Sequence, residues 1–170
     1  AGHILDDSLA ACDYVGTAGA LASVLRDGGY DLVIAGNQST DGRGGVVPAM
    51  LAEHLDVPLL SNLDSVEIGA SDVRGERGIE GASQSVHAGL PAVISVTERA
   101  NEPRFPSFKG IMGAKKKPVD AVAGGSPVDA GHSVIVTVAE RPARDAGVRI
   151  TDDGTAATQL VDFLVAGRLI

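Results

Sequence analysis

The segment YDLVIAG, residues 30–36, is an unbroken apolar run closed by glycine, with stretches of helical spacing on both sides of it. A strand of that kind carries apolar side chains on both faces, so it belongs inside a sheet covered by helices. Ahead of it, Ala20, Leu21, Val24 and Leu25 recur at helical spacing in residues 17–27, with Thr17 as the expected N-cap and Gly28 and Gly29 as the stop. Behind it, the loop NQSTDGRGG leads into a helix expected over residues 46–55. Helix, strand, loop, helix is half of a βαβ arrangement. The expected fold class is therefore α/β, an open and mostly parallel sheet flanked by helices. With no tryptophan and three phenylalanines in 170 residues, aliphatic side chains must fill its core.

After Pro58 the texture changes. DSVEIG, SDVRGER and SQSVHAG alternate in polarity between glycines and read as an added antiparallel hairpin region with one wet face. PAVISVTE returns to the buried type of strand, and residues 106–117 suit a short helix on which Phe108, Ile111 and Met112 share a face. KPVDAVAGGSP reads as a linker and SVIVTVAER as a further strand. Residues 154–169 form an expected terminal helix with Leu160, Phe163, Leu164 and Leu169 facing inward. The opening AGHILDD has no initiator methionine and reads as the end of a strand with its loop, so the chain is expected to begin inside a longer protein.

Charge and cysteine content narrow the function. A net charge of -8 and a pI near 4.8 oppose general nucleic-acid binding, because the phosphate backbone would be repelled. The single cysteine, Cys12, rules out an internal disulfide and the Cys/His zinc spacings, and it suits a reducing cytoplasm. No apolar run approaches the roughly 18 residues that span a bilayer, so no membrane insertion is expected. His54, His87 and His132 fall on different elements without metal-ligand spacing, and His54 suits a helix C-terminus. Ser39 with Asp41 lacks a nucleophile-elbow context. No catalytic constellation is visible, and the chain is not expected to be an enzyme in its own right.

Two stretches remain as candidate sites. The first is the loop after the apolar strand, Gly36, Asn37, Gln38, Ser39, Thr40, Asp41, Gly42, Arg43, Gly44, Gly45, Val46 and Val47. Ligands in open α/β sheets bind beyond the carboxyl ends of strands, and N–H groups opening the next helix favour an anion such as phosphate. Any loop between a strand and a helix also needs glycine and small polar residues, so spacing alone leaves both readings open. The second is NEPRFPSFKGIMGAKKK, residues 101–117, which holds two of the three phenylalanines and three consecutive lysines. Either Phe105 and Phe108 are anchors presented to a partner beside steering charge, or they fold back into the core.

Taken with their surroundings, DLVIAGNQSTDGRGGVVPAMLAEHL, LPAVISVTERANEPRFPSFKGIMGAKKKPV and ARDAGVRI resemble the β subunit of electron transfer flavoproteins, the FixA family, in its actinobacterial form. The resemblance runs from about Tyr30 to the end of the chain. It implies a Rossmann-like, adenine-nucleotide-binding fold and a heterodimer with an α subunit that holds most of a redox-active FAD. It further implies an AMP of structural role in the β subunit, or a second FAD in electron-bifurcating relatives. Electrons would come from acyl-CoA and other flavin dehydrogenases, as in fatty acid β-oxidation, and pass towards the respiratory chain. On this likeness residues 36–47 line the nucleotide. Asn101, Glu102, Pro103, Arg104, Phe105, Phe108, Ile111, Met112, Lys115 and Lys116 belong to a recognition loop, residues 97–117, with Phe108 where many relatives have leucine. Residues 1–122 would form the nucleotide-binding domain, and residues 123–170 an arm packed on the α subunit.

Several departures accompany the likeness. Relatives begin with a further half-domain, so this chain is expected to be truncated at its N-terminus, without the adenine side of the pocket. In place of the DxxTxQxG pattern stand Asp41, Gly42, Arg43, Gly44, Gly45, Val46, Val47 and Pro48, which shifts phosphate contacts towards backbone N–H groups. Gly78 replaces a carboxylate that helps to hold the flavin domain in some members, and Gly113 stands at a lysine modified in some eukaryotic relatives. A stand-alone adenine-nucleotide sensor of the same superfamily is the alternative reading.

Overall fold

Helix α1 (Tyr14–Gly28) connects strand β1 (Gly2–Ile4) to strand β2 (Leu32–Gly36), the unbroken apolar run. The structure, a computed structural model, describes residues 1–123, 133–144 and 146–170. After β2 come α2 (Val47–Leu55), β3 (Leu59–Leu63), β4 (Ser65–Ile68), β5 (Asp72–Ile79), β6 (Ala82–Gly89), β7 (Ala92–Val96), α3 (Phe108–Ala114), β8 (Asp120–Val122) and α4 (Ala156–Ala166). The chain divides into two units, Ala1–Val136 and Thr137–Ile170.

In the first unit β2, β7 and β3 form a parallel sheet with β7 in the middle, and β1 pairs with β8, also in parallel. β4, β5 and β6 make an antiparallel sheet, as their alternating polarity requires. The α/β class, mostly parallel with an antiparallel addition, is thus the observed one. β7 is central because AVIS is apolar or hydroxylic on both faces: Ala92, Val93, Ile94 and Ser95 are all buried. Ile94 joins Leu60, Leu63 and Val73 in the cluster between the two sheets. Its neighbour Val93, also fully buried, points to the opposite face by strand alternation, where α2 packs on β7 and β3. Ser95 is the buried polar residue of the strand, and its hydroxyl accepts the Asn62 N–H at 2.8 Å. That bond sits where the β3 register slips and Asn62 takes a positive φ of 55°.

Helix α1 starts earlier than Thr17. Asp13 is its N-cap, accepting the Gly16 N–H at 3.0 Å, while the Thr17 hydroxyl donates back to the Asp13 carbonyl. A carboxylate outcompetes a hydroxyl for the N–H groups of a first turn, where the helix dipole also favours negative charge. The end at Gly29, left-handed at φ 61°, is as expected. The supposed linker contains β8, whose three residues find β1 as a parallel partner, with residues 124–127 outside the described ones.

Two expectations about the C-terminal part fail. SVIVTVAER forms no strand: Val134 makes one bridge to Cys12, and Val134, Ile135, Val136 and Val138 stay exposed. Among the described residues no strand edge takes up more than Val134, and a β-type sequence without such an edge has no ladder to join. In the second unit, Leu160, Phe163 and Leu169 do not face inward but are exposed, and Leu164 alone of the four is half-buried. A unit of this size offers α4 too little apolar surface to cover that face.

Candidate functional site

Residues 36–47 lie at the carboxyl end of β2, where the strand hands over to α2. Val46 caps α2 with no side-chain hydrogen bond, and Pro48 occupies the first turn. The remaining N–H groups at this helix end are therefore free for an anion, and the helix dipole points the right way. A phosphate group fits that end on these grounds.

Inside the loop the polar side chains have duties of their own. Asp41 accepts the Gly42 N–H at 2.6 Å, and the Ser39 hydroxyl with that N–H holds its carboxyl below the usual carboxylate range. A donor spent on Asp41 is not offered to a ligand, so the Gly42 N–H supports the loop rather than faces a phosphate. Tyr14 completes this support, its hydroxyl donating to the Gly42 carbonyl at 2.7 Å. The glycines owe their presence to that ring as much as to any ligand. A Cβ on Gly44 would fall inside the Tyr14 side chain, and one on Gly42 would lie 3.0 Å from its hydroxyl oxygen. Gly44→Ala should accordingly expel Tyr14 and break the bond to Gly42. A Tyr14 fluorescence spectrum unchanged by this substitution would contradict the packing. Nothing in the local pattern points to Tyr14, which lies 28 residues from Gly42.

The second site projects from the end of β7. Asn101 to Pro106 are exposed throughout, Phe105 at 99% and Phe108 at 80%. Ser107 starts α3 by accepting the Gly110 N–H at 3.1 Å. Phe108, Ile111 and Met112 stand at helical spacing, and all three are exposed. Lys115, Lys116 and Lys117 close the helix through their backbone N–H groups, leaving the ammonium groups at its C-terminal end.

Sequence reading also missed Asp64, between β3 and β4. Its Oδ1 accepts the Thr97 hydroxyl at 2.6 Å and its Oδ2 the Gly78 N–H at 3.0 Å, with Arg99 Nη1 at 3.9 Å. The Thr97 hydroxyl first, then the Gly78 N–H, and to a lesser degree Arg99, hold this carboxyl below its usual range. Its contribution to stability is present above the ordinary carboxylate pKa and is lost as pH falls through the lowered value.

The other candidates do not converge. His54 lies in the last turn of α2, where its carbonyl takes the Arg26 guanidinium at 2.6 Å. His87 is on the exposed face of β6 opposite Arg74, and His132 lies outside the described residues. Among the described residues no group of His, Cys, Asp and Glu could hold a metal ion, and no helix is long and apolar enough to cross a membrane.

Comparison with known proteins follows the same lines. Residues 1–125 match the electron transfer flavoprotein domain family. The electron transfer flavoprotein subunit beta of Mycobacterium leprae is 46% identical over 178 residues, covering 99% of this chain. That of Mycobacterium tuberculosis is 44% identical over 177 residues with the same coverage. The Bacillus subtilis subunit beta is 36% identical over 116 residues, 68% of this chain and 45% of the relative. The chain spans 66% of the length of the two mycobacterial relatives. With a parallel α/β body, a glycine-rich loop opening α2 and an exposed aromatic arm all inside the matched region, the chain belongs to the electron transfer flavoprotein family and resembles its β subunits.

Proposed function

We propose that the protein carrying this chain is the β subunit of an electron transfer flavoprotein, an electron carrier rather than a catalyst of bond-making chemistry. It pairs with an α subunit and accepts electrons in the cytoplasm from acyl-CoA and other flavin dehydrogenases, for delivery towards the respiratory chain. FAD, held mainly by the α subunit, supplies the redox chemistry when bound.

This chain contributes position and recognition. The uncapped start of α2 holds the phosphate of an AMP through the N–H groups of residues near Gly45, Val46 and Val47. Phe108 and its neighbours dock the dehydrogenase, and the lysines steer its acidic surface. The observation that carries the docking role is the 80% exposure of Phe108 in a chain that has three phenylalanines in all. A large aromatic left in water is what a transient interface buries.

Co-expression of the full-length protein with its α subunit should give a yellow heterodimer holding one FAD and one AMP. A colourless, unassociated protein would overturn the assignment, and two flavins per heterodimer would overturn the AMP.

A further inference from the structure

We propose that Asp64 is a positioning residue that aims the docking arm, through a clamp on Thr97 at the arm's base. The inference rests on the docking role proposed above.

The chain leaves β7 at Thr97 and is bound there from several sides. Thr97 N–H donates to the Leu63 carbonyl at 2.9 Å, and its hydroxyl donates to Asp64 at 2.6 Å. The same hydroxyl oxygen accepts the Arg99 N–H at 3.3 Å, and the Ala100 N–H donates to the Thr97 carbonyl at 3.2 Å. Arg99 then brings its guanidinium to 3.9 Å from Asp64. Residues 97–100 thus form a turn fastened to the end of β3.

Beyond it, among the described residues, no hydrogen bond holds Asn101 to Pro106. Pro103 and Pro106 fix their own φ angles and bias the residues before them to extended backbone, which narrows the paths the arm can take from Thr97 towards Phe108. A small rotation at the base becomes a large displacement at the tip. Asp64 is itself fixed from the other side by the Gly78 N–H at 3.0 Å, which ties the base to β5. A Cβ at position 78 would stand 3.3 Å from Asp64 Oδ2, so the absence of a side chain there leaves the carboxylate its place.

The test uses the complete heterodimer with Thr97→Val, Thr97→Ser, Asp64→Asn and Phe108→Ala. Trypsin cleavage after Arg99, measured against cleavage after Arg104 in the unbound arm, reads the clamp without reference to docking. Thr97→Val should raise that ratio about threefold to tenfold, the effect of an ordinary net hydrogen bond. The KM for an acyl-CoA dehydrogenase should rise by a similar factor, with kcat and the flavin spectrum unchanged. Thr97→Ser should behave like the parent, and Asp64→Asn should follow Thr97→Val in direction. Parental cleavage and KM in both Thr97→Val and Asp64→Asn would overturn the proposal. So would faster cleavage with an unchanged KM, provided that Phe108→Ala raises KM. If Phe108→Ala leaves KM unchanged, the docking role itself falls, and with it the aiming.

Discussion

Replacing Leu63 by alanine is expected to destabilise the first unit by about 2–5 kcal/mol, the range for a fully buried leucine. Leu63 is 0% exposed and lies in the cluster that joins the parallel and antiparallel sheets, with Leu60, Val73, Ala92 and Ile94. Its methyl groups sit beneath Gly75, at 3.1 and 3.3 Å from where a Cβ there would be. Glycine has no side chain to move into the hole, and a Cβ on Gly75 would strike the Ser65 carbonyl, so the cavity stays open. Against an ordinary total of about 5–15 kcal/mol this is a large share. Urea unfolding should show a lower midpoint with an unchanged slope, and a loss under about 1 kcal/mol would mean that the two sheets do not depend on this contact.

Phe108→Ala should leave stability almost untouched and strike electron delivery instead. An exposed side chain contributes little to folding, whereas an anchor at the centre of an interface is worth about 2 kcal/mol or more. That corresponds to a rise of roughly thirtyfold in the KM for a dehydrogenase, since 1.36 kcal/mol is a factor of ten. The flavin spectrum should not change. Added salt should slow the parent and the variant alike, because Lys115, Lys116 and Lys117 act on encounter and remain in both. Equal KM values for parent and variant would remove Phe108 from the interface.

What could be read from sequence was what depends on neighbours along the chain. β2, α2, β7 and the three antiparallel strands each carry their own periodicity and turn residues, and each was expected within a few positions. The glycine-rich loop was equally legible because residues 36–47 are contiguous. By contrast, β8, read as linker, is a three-residue strand that exists only through β1, more than a hundred positions away, whereas β1 itself was expected as the strand end in AGHILDD. Tyr14 under the loop and Asp64 at Thr97 are likewise long-range partners, the latter 33 residues apart. Among the described residues, SVIVTVAER has strand propensity but no edge to complete, and α4 has an apolar face but no cover in its own unit. Local pattern states what a segment is able to become; the partner decides whether it does.

The turn at Thr97 is mounted where β3 runs on through Asp64 into β4, so one continuous stretch of chain serves both sheets. The arm is therefore fixed at its root, and the ordering that the proposed docking must impose falls on the stretch past Ala100, whose residues 101–106 make no hydrogen bond among the described residues. Association then loses less conformational entropy than it would if the arm were loose from Val96 onwards. On the docking role proposed above, a carrier built this way would meet many donors in turn and release each of them quickly, because its grip would depend on one small contact patch and not on refolding the subunit.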